Sequence, residues 1–383
     1  MRRTLTLLLV GLVAAVPALA QHGLHFVVEP YLQNVSETGI TVMWETNAPS
    51  NSTVEFGLSA RFDRRVQDTT FVQIHEVHLR GLKPQTVYFY RVISRDKTGS
   101  SLASDTLSFQ TAVLPETAFA FAVVGDSRTY PDRWGRIARL VWGERPNFVL
   151  HVGDVVTNGN VKEQWVREFL VPAARLFGRV PFFVAIGNHE RNAHWFYDYM
   201  CNPPPENYYT FTYGDAEFIV VDTNDRQGLQ PGGRQYNWLV HALKSSKATW
   251  KFVAHHHPPY SSDENDYGDA YRGPTTLGDP QVRLLVPLYE KYGVDIVWVG
   301  HIHTYERTWP IRKGRVDEKR GVIYIQAGGG GAELEDFAPT RSWFTAKVLR
   351  NWQYCLVTIH DRTLVVMTYD IDGRMVDYLK LHK

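Results

Sequence analysis

Apolar and polar positions change rhythm once along this chain. From residue 21 to about residue 113, short alternating runs separated by turn residues recur, among them Gly39-Ile40-Thr41-Val42-Met43-Trp44, residues 52–56 and residues 86–92. Alternation of period two marks half-buried strands, and several at this spacing predict a β-sandwich with Trp44 in its core. Residues 111–117 read as a linker. Beyond them, continuous apolar runs alternate with stretches of helical periodicity. Buried strands are predicted at residues 119–124, 148–152, 181–186, 217–221, 251–254, 294–299 and 321–327. Helices are predicted around Arg136, Ile137, Leu140 and Val141, and over residues 161–177, 234–243 and 280–292. The tail alternates again as hairpin strands over residues 354–359, 363–369 and 375–381, with Asp372-Gly373 as the last turn. Residues 261–278, rich in Asp, Tyr and Gly, have no period and read as a long loop.

Five of the apolar runs end in residues of metal-binding type: Asp126, Asp154, Asn188 with His189, His256, and His301 with His303. Side chains at i and i+2 of an extended segment point the same way, so His301 and His303 can face one point beyond their strand. In open α/β sheets ligands collect beyond the carboxyl ends of strands. Taken singly, Asp126 is a turn residue, Asp154 a helix cap, Asn188 a turn former and His256 a packing histidine. Taken together at equivalent positions, they predict one metal centre. Gly125, Gly153, Gly187 and Gly300 precede four of these clusters, where they let the backbone turn tightly.

Composition narrows the class. The 383 residues are 44% hydrophobic and 21% charged, an ordinary globular balance long enough for a large and a small domain. A formal net charge of +1 supplies no global field for nucleic acid or an anionic membrane. Met1-Arg2-Arg3, the apolar residues 5–16 and Ala18-Leu19-Ala20 form a secretory signal peptide, cleaved near Ala20, which predicts a secreted or periplasmic protein. No later stretch is long and apolar enough to span a bilayer. Export permits a disulfide between Cys201 and Cys355, but sequence cannot pair them. His75 and His78 read as packing or surface residues of the sandwich.

Gly125-Asp126-Ser127, Gly153-Asp154-Val155, Gly187-Asn188-His189-Glu190, the histidine-proline run 255–260 and Gly300-His301-Ile302-His303-Thr304-Tyr305-Glu306-Arg307 resemble the five blocks of the calcineurin-like metallophosphoesterases. The last block, and Leu82-Lys83-Pro84-Gln85-Thr86-Val87-Tyr88, which resembles the tyrosine corner of fibronectin type III domains, point to the purple acid phosphatase branch. The resemblance implies an α+β two-domain chain. A signal peptide (1–20) precedes a fibronectin type III-like β-sandwich (21–113) and a four-layer α/β/β/α catalytic domain (118–383). It implies two divalent or trivalent ions (Fe, Mn or Zn) bridged by Asp154, with Asp126 and His303 at the first and Asn188, His256 and His301 at the second. A metal-bridged hydroxide would attack a phosphate monoester, and His189 would stabilise the transition state or protonate the leaving oxygen. Tyr305, Glu306 and Arg307 would form a supporting network.

The chain departs from that pattern at two positions. Most of the superfamily has Asp-x-His in the first block, where this chain has Arg128, and the tyrosine of purple acid phosphatases is replaced by Thr157. Arg128 either forks onto phosphate oxygens or pairs with a nearby acid. Arg191 and Arg272 are further candidates for the small-molecule phosphoester. A phosphodiesterase or nucleotidase of the same fold, and a non-catalytic binding protein with an incomplete first metal site, are the alternative readings. Oligomeric state is not legible.

Overall fold

The structure, a computed structural model, describes residues 23–268 and 273–383. The predicted signal peptide and Arg272 lie outside the described residues. Two mixed sheets organise the chain. The first runs from the tail hairpins Met375–His382, Thr363–Asp370 and Gln353–His360 through Phe119–Val124, Phe148–His151 and Phe182–Val184. It then continues without a break into Phe26–Gln33, Gly39–Gly57, Val87–Arg95 and Ser101–Ala103 of the strand-rich N-terminal part, with Arg64–Arg80 and Leu107–Gln110 beside them. The second sheet orders Tyr209–Tyr213, Ala216–Val220, Trp250–Ala254, Ile296–Val299, Ile323–Ala327, Tyr305–Thr308 and Thr345–Leu349.

Apolar runs without alternation must be covered on both faces, and here they are. Between the sheets, Phe121, Phe148 and Phe183 meet Phe211, Phe218, Phe252 and Trp298 in one buried aromatic core. Phe183 stacks on Phe211 at 3.7 Å between centroids, and Phe121 meets Phe218 edge-on at 5.0 Å. On the outer face of the first sheet, the helix Pro131–Glu144 buries Trp134, Ile137, Ala138 and Val141 against Ala122, Val124 and Val149. On the outer face of the second, Arg234–Ser245 and Val286–Tyr292 cover Ile219, Val253 and Val297. The part beyond residue 118 therefore has four layers, helix–sheet–sheet–helix.

In the N-terminal part, Gly39–Gly57 is a single long strand with register shifts between Glu45 and Ser52, so it bends and changes partner from Phe26–Gln33 to Val87–Arg95. Trp44 is fully buried and donates its indole N–H to Ser94 Oγ at 2.9 Å. The Tyr88 hydroxyl accepts from the Lys83 backbone N–H at 3.0 Å.

Two predicted helices are broken. Residues 161–177 resolve into Lys162–Gln164, a wide turn Trp165–Leu170 and Ala174–Phe177. Pro172 lies at the break, where it has no N–H to continue the ladder. Residues 280–292 split into a tight turn Val282–Leu285 and the helix Val286–Tyr292. Among the described residues no helix is long and apolar enough to cross a membrane. Cys201 and Cys355 do not pair: both are buried free thiols, one against Thr41 and the other against Thr368.

Candidate metal centre

Both sheets aim the carboxyl ends of their parallel strands at one place. Phe119–Val124, Phe148–His151 and Phe182–Val184 deliver Asp126, Asp154 and Asn188 from the first sheet. Trp250–Ala254 and Ile296–Val299 deliver His256, His301 and His303 from the second. All six predicted donors come together there.

Each imidazole has one nitrogen tied outward and one aimed into the cluster. His256 Nδ1–H donates to the Val152 carbonyl at 2.9 Å, so Nε2 faces Asn188 Oδ1 at 3.0 Å and Asp154 Oδ1 at 3.3 Å. His301 places Nδ1 3.1 Å from the same Asn188 oxygen and Nε2 3.2 Å from Asp266 Oδ2. His303 Nδ1–H donates to the Glu333 carbonyl at 2.7 Å, leaving Nε2 3.7 Å from Asp126 Oδ1. Such outer partners fix the tautomer of metal-binding histidines and raise their basicity.

The set Asp154, Asn188, His256 and His301 fits a cation. Ligands about 2.1 Å from a metal lie about 3.0–3.4 Å from one another, and these donors already stand at 3.0, 3.1 and 3.3 Å. Asp154 Oδ2 is buried with no hydrogen-bond partner, an arrangement that costs free energy unless a cation satisfies it. Carboxylate, amide and imidazole donors together suit Mn, Fe or Zn.

Electrostatics agrees. Burial, with Asp154 beside it, pushes the Asp126 carboxyl well above the usual range despite His256. Burial would also raise Asp154, but His256 and His189 outweigh it and hold that carboxyl low. Burial opposes a charge on His256, yet the two aspartates lift it to about 9.

Arg128 is a close neighbour of the far side of the cluster. Its Nε lies 3.6 Å from Asp154 Oδ2 and its Nη2 3.2 Å from His303 Nε2, with 17% of the side chain exposed. Thr157 does not face the donors: its hydroxyl and its backbone N–H both donate to Glu168 Oε2, at 2.9 and 2.7 Å. His189 donates its backbone N–H to Asp154 Oδ1 at 2.9 Å. Its ring anchors Nδ1 on the Thr157 carbonyl at 2.6 Å, and Nε2 stands 3.9 Å from Asp154 Oδ2 with 27% of the side chain exposed. Arg191 is exposed on the turn behind Asn188, and among the described residues its side chain makes no ion pair.

Sequence reasoning passed over three supporting acids. Glu190 accepts backbone N–H groups from Asp154 (3.0 Å), Val155 (2.7 Å) and Gly187 (2.6 Å), tying two donor loops together. Its place beside Asn188-His189 was the available signal. Asp266 caps His301, and Glu335 accepts the His303 backbone N–H at 2.7 Å. Both come from loops with no period to read. His255, by contrast, faces away and packs on Tyr289, and His257 hydrogen-bonds Thr223 Oγ1 at 2.8 Å beneath the centre. The network predicted behind the donors is present: Tyr305 and Arg307 converge on Asp377, and Glu306 accepts from Ser262 and Thr345.

Comparison with known proteins agrees with this architecture. The calcineurin-like phosphoesterase family matches residues 119–305, and the purple acid phosphatase N-terminal domain matches residues 28–111. A probable inactive purple acid phosphatase 1 of Arabidopsis thaliana is 29% identical over 81% of this chain and 58% of its own length. The chain thus spans a little over half of that plant relative. Acid phosphatase type 7 of Mus musculus is 28% identical over 91% of this chain and 89% of its own. Among solved structures, the purple acid phosphatase PPD1 of yellow lupin seeds superposes with a TM-score of 0.80 at 21% identity, covering 92% of this chain and 74% of that one. PhoD superposes at 0.68 and 14% identity, with 94% of each chain covered. With a calcineurin-like phosphoesterase domain behind a purple acid phosphatase N-terminal domain, this chain belongs to the calcineurin-like metallophosphoesterases, in their purple acid phosphatase-like branch.

Proposed function

We propose that this chain is an exported, metal-dependent phosphoesterase that hydrolyses phosphate monoesters. Asp154, Asn188, His256 and His301 are its principal metal donors, with Asp126 and His303 completing the polar wall, for Fe, Mn or Zn. A bound cation neutralises phosphoryl oxygens and lowers the pKa of a water molecule toward neutrality. The observation that supports the reading most is Asn188 Oδ1, from one sheet, standing 3.0 and 3.1 Å from imidazole nitrogens of two strands of the other.

His189 is the residue for the leaving group. Its ring is fixed by Thr157, about a quarter of its side chain is exposed, and Nε2 stands 3.9 Å from Asp154 Oδ2. From there it can give a proton to the departing oxygen. Arg128 presents a permanent positive charge to the phosphoryl group. The leader at residues 1–20 supports export.

Two observations favour other readings. A Hordeum vulgare relative, 26% identical, is a nucleotide pyrophosphatase/phosphodiesterase, which favours a diester or nucleotide substrate. Relatives in Arabidopsis thaliana named probable inactive purple acid phosphatases favour a non-catalytic role. Turnover of 4-nitrophenyl phosphate against its bis-ester, with Mn, Fe or Zn supplied, separates all three. The monoester should be cleaved at least about tenfold faster. The reverse order selects the diesterase, and no turnover of either with any metal rejects the enzyme. His189→Ala should lower kcat by about 10²–10⁴ and leave metal content unchanged.

A further inference from the structure

We infer that the Arg128 guanidinium stands in for one of the two cations of this fold, so that the centre holds a single metal ion in the Asp154–Asn188–His256–His301 set. The inference rests on the metal-binding part of the reading above and goes further in assigning how many ions are held and why.

The far side of the cluster is where the guanidinium lies. Its Nη2 is 3.2 Å from His303 Nε2, the only nitrogen of that ring not already donating, since Nδ1–H is bound to the Glu333 carbonyl. A neutral imidazole has one lone pair. Once it accepts from Arg128, none remains for a metal. Arg128 Nε is buried and directed at Asp154 Oδ2, the carboxylate oxygen that would bridge to a second ion. Both Asp126 oxygens accept the His301 backbone N–H, at 3.1 and 3.0 Å. Thr157, at the remaining position, is bound to Glu168. On that side Asp154 Oδ2 has no hydrogen-bond partner, and the Arg128 guanidinium is the cation that faces it, with Nε at 3.6 Å.

Charge leads the same way. A guanidinium is always protonated and is held to carboxylates by hydrogen bonds as well as charge. One divalent ion plus Arg128 already outweighs the two buried carboxylates, Asp126 and Asp154. A second ion about 3–4 Å from that guanidinium would meet like-charge repulsion, least screened on the side of the buried carboxylates Asp126 and Asp154. With little of Arg128 exposed, a role as a free phosphate clamp at the rim does not describe its position. It acts from within the centre, and its N–H groups can meet phosphoryl oxygens only on the open side.

Metal counting tests this. The mature chain, stripped by a chelator and reloaded with Mn²⁺, should retain about one ion per chain by elemental analysis and show the spin-resonance spectrum of isolated Mn²⁺. Arg128→His, which removes the guanidinium and adds a nitrogen donor, should take up about two and show a coupled pair. Asn188→Ala in the unaltered background should drop the count to about zero, which also covers the case that Arg128→His does not fold. Two ions in the unaltered chain, one ion retained by Asn188→Ala, or a folded Arg128→His that still holds one, each overturns the inference. The two readings fail separately. One ion without phosphoester turnover removes the hydrolase and leaves this inference, two ions with turnover do the opposite, and no ion in any chain removes both.

Discussion

At Asp126, Asp154 and His301 the backbone turns into the left-handed region, with φ of 55°, 55° and 74°. Non-glycine residues held in sparsely populated regions cost about 1–3 kcal/mol each and gather at functional sites. The glycines beside them serve another purpose, close approach. A Cβ on Gly187 would collide with the Asp154 carboxylate, and one on Gly300 would come within 2.6 Å of Asp126 Oδ2. Gly187→Ala should therefore displace Asp154 and cut Mn²⁺ affinity at least about tenfold, read by titration of the stripped chain. Glu190 holds the same loops from below. Glu190→Ala leaves three buried backbone N–H groups without an acceptor, at about 1–3 kcal/mol each. Denaturant unfolding should register a loss of about 3 kcal/mol or more; a loss below about 1 kcal/mol would mean that water takes over as acceptor.

Elements built on strong apolar runs were legible, and those whose conformation depends on neighbours were not. The run 119–124 coincides with the strand Phe119–Val124, because an uninterrupted apolar segment has only one way to hide both faces. The strand Tyr209–Tyr213, which pairs with the predicted run observed as Ala216–Val220, and the strand Tyr305–Thr308 are polar in places and took their form from the sheet they join. Tyr305–Thr308 is pinned from outside. Asp377, on the last strand, accepts from Tyr305 OH at 2.8 Å and from Arg307 Nε and Nη2 at 2.7 and 3.1 Å. Only 14% of Arg307 and 11% of Asp377 is exposed. Breaking a buried pair by removing one partner costs about 3–5 kcal/mol. Asp377→Ala should destabilise by about 3 kcal/mol in equilibrium unfolding, with Asp377→Asn milder because it keeps one acceptor.

The whole molecule behaves as one sheet system, with the N-terminal strands joined to those that carry the candidate metal centre by backbone and by buried side chains. Gln33 pairs with Phe182, donates to the Tyr199 carbonyl at 2.7 Å and accepts the Cys201 N–H at 2.9 Å. Glu45 takes Lys162 at 2.6 Å and the Tyr199 hydroxyl at 2.7 Å. This front part also carries an acid sensitivity. His75 is fully buried, stacked 4.6 Å from Trp44 and hydrogen-bonded to Thr46 and Ser52 at 2.9 and 2.8 Å. Burial lowers its pKa from 6.5 to about 4. Between those values the unfolded chain binds a proton that the folded chain does not. Its contribution is complete above pH 6.5 and is lost as pH falls toward 4, by about 3 kcal/mol in all. Unfolding free energy at pH 7 against pH 4.5 should show this loss, and His75→Gln should remove about 2 kcal/mol of the difference.

What the sequence determined alone is the order of the strands' apolar runs and which polar residues stand at their ends. Both are local: a buried run has a period, and the residue just past it is fixed by counting. The tertiary structure decided which loops meet, which nitrogen of each histidine faces inward, and that Asp266 and Glu335 reach the centre from aperiodic loops. It also decided where Arg128 lies. These depend on how two sheets stack and how far a side chain reaches across the gap, and distance through space leaves no mark on spacing along a chain.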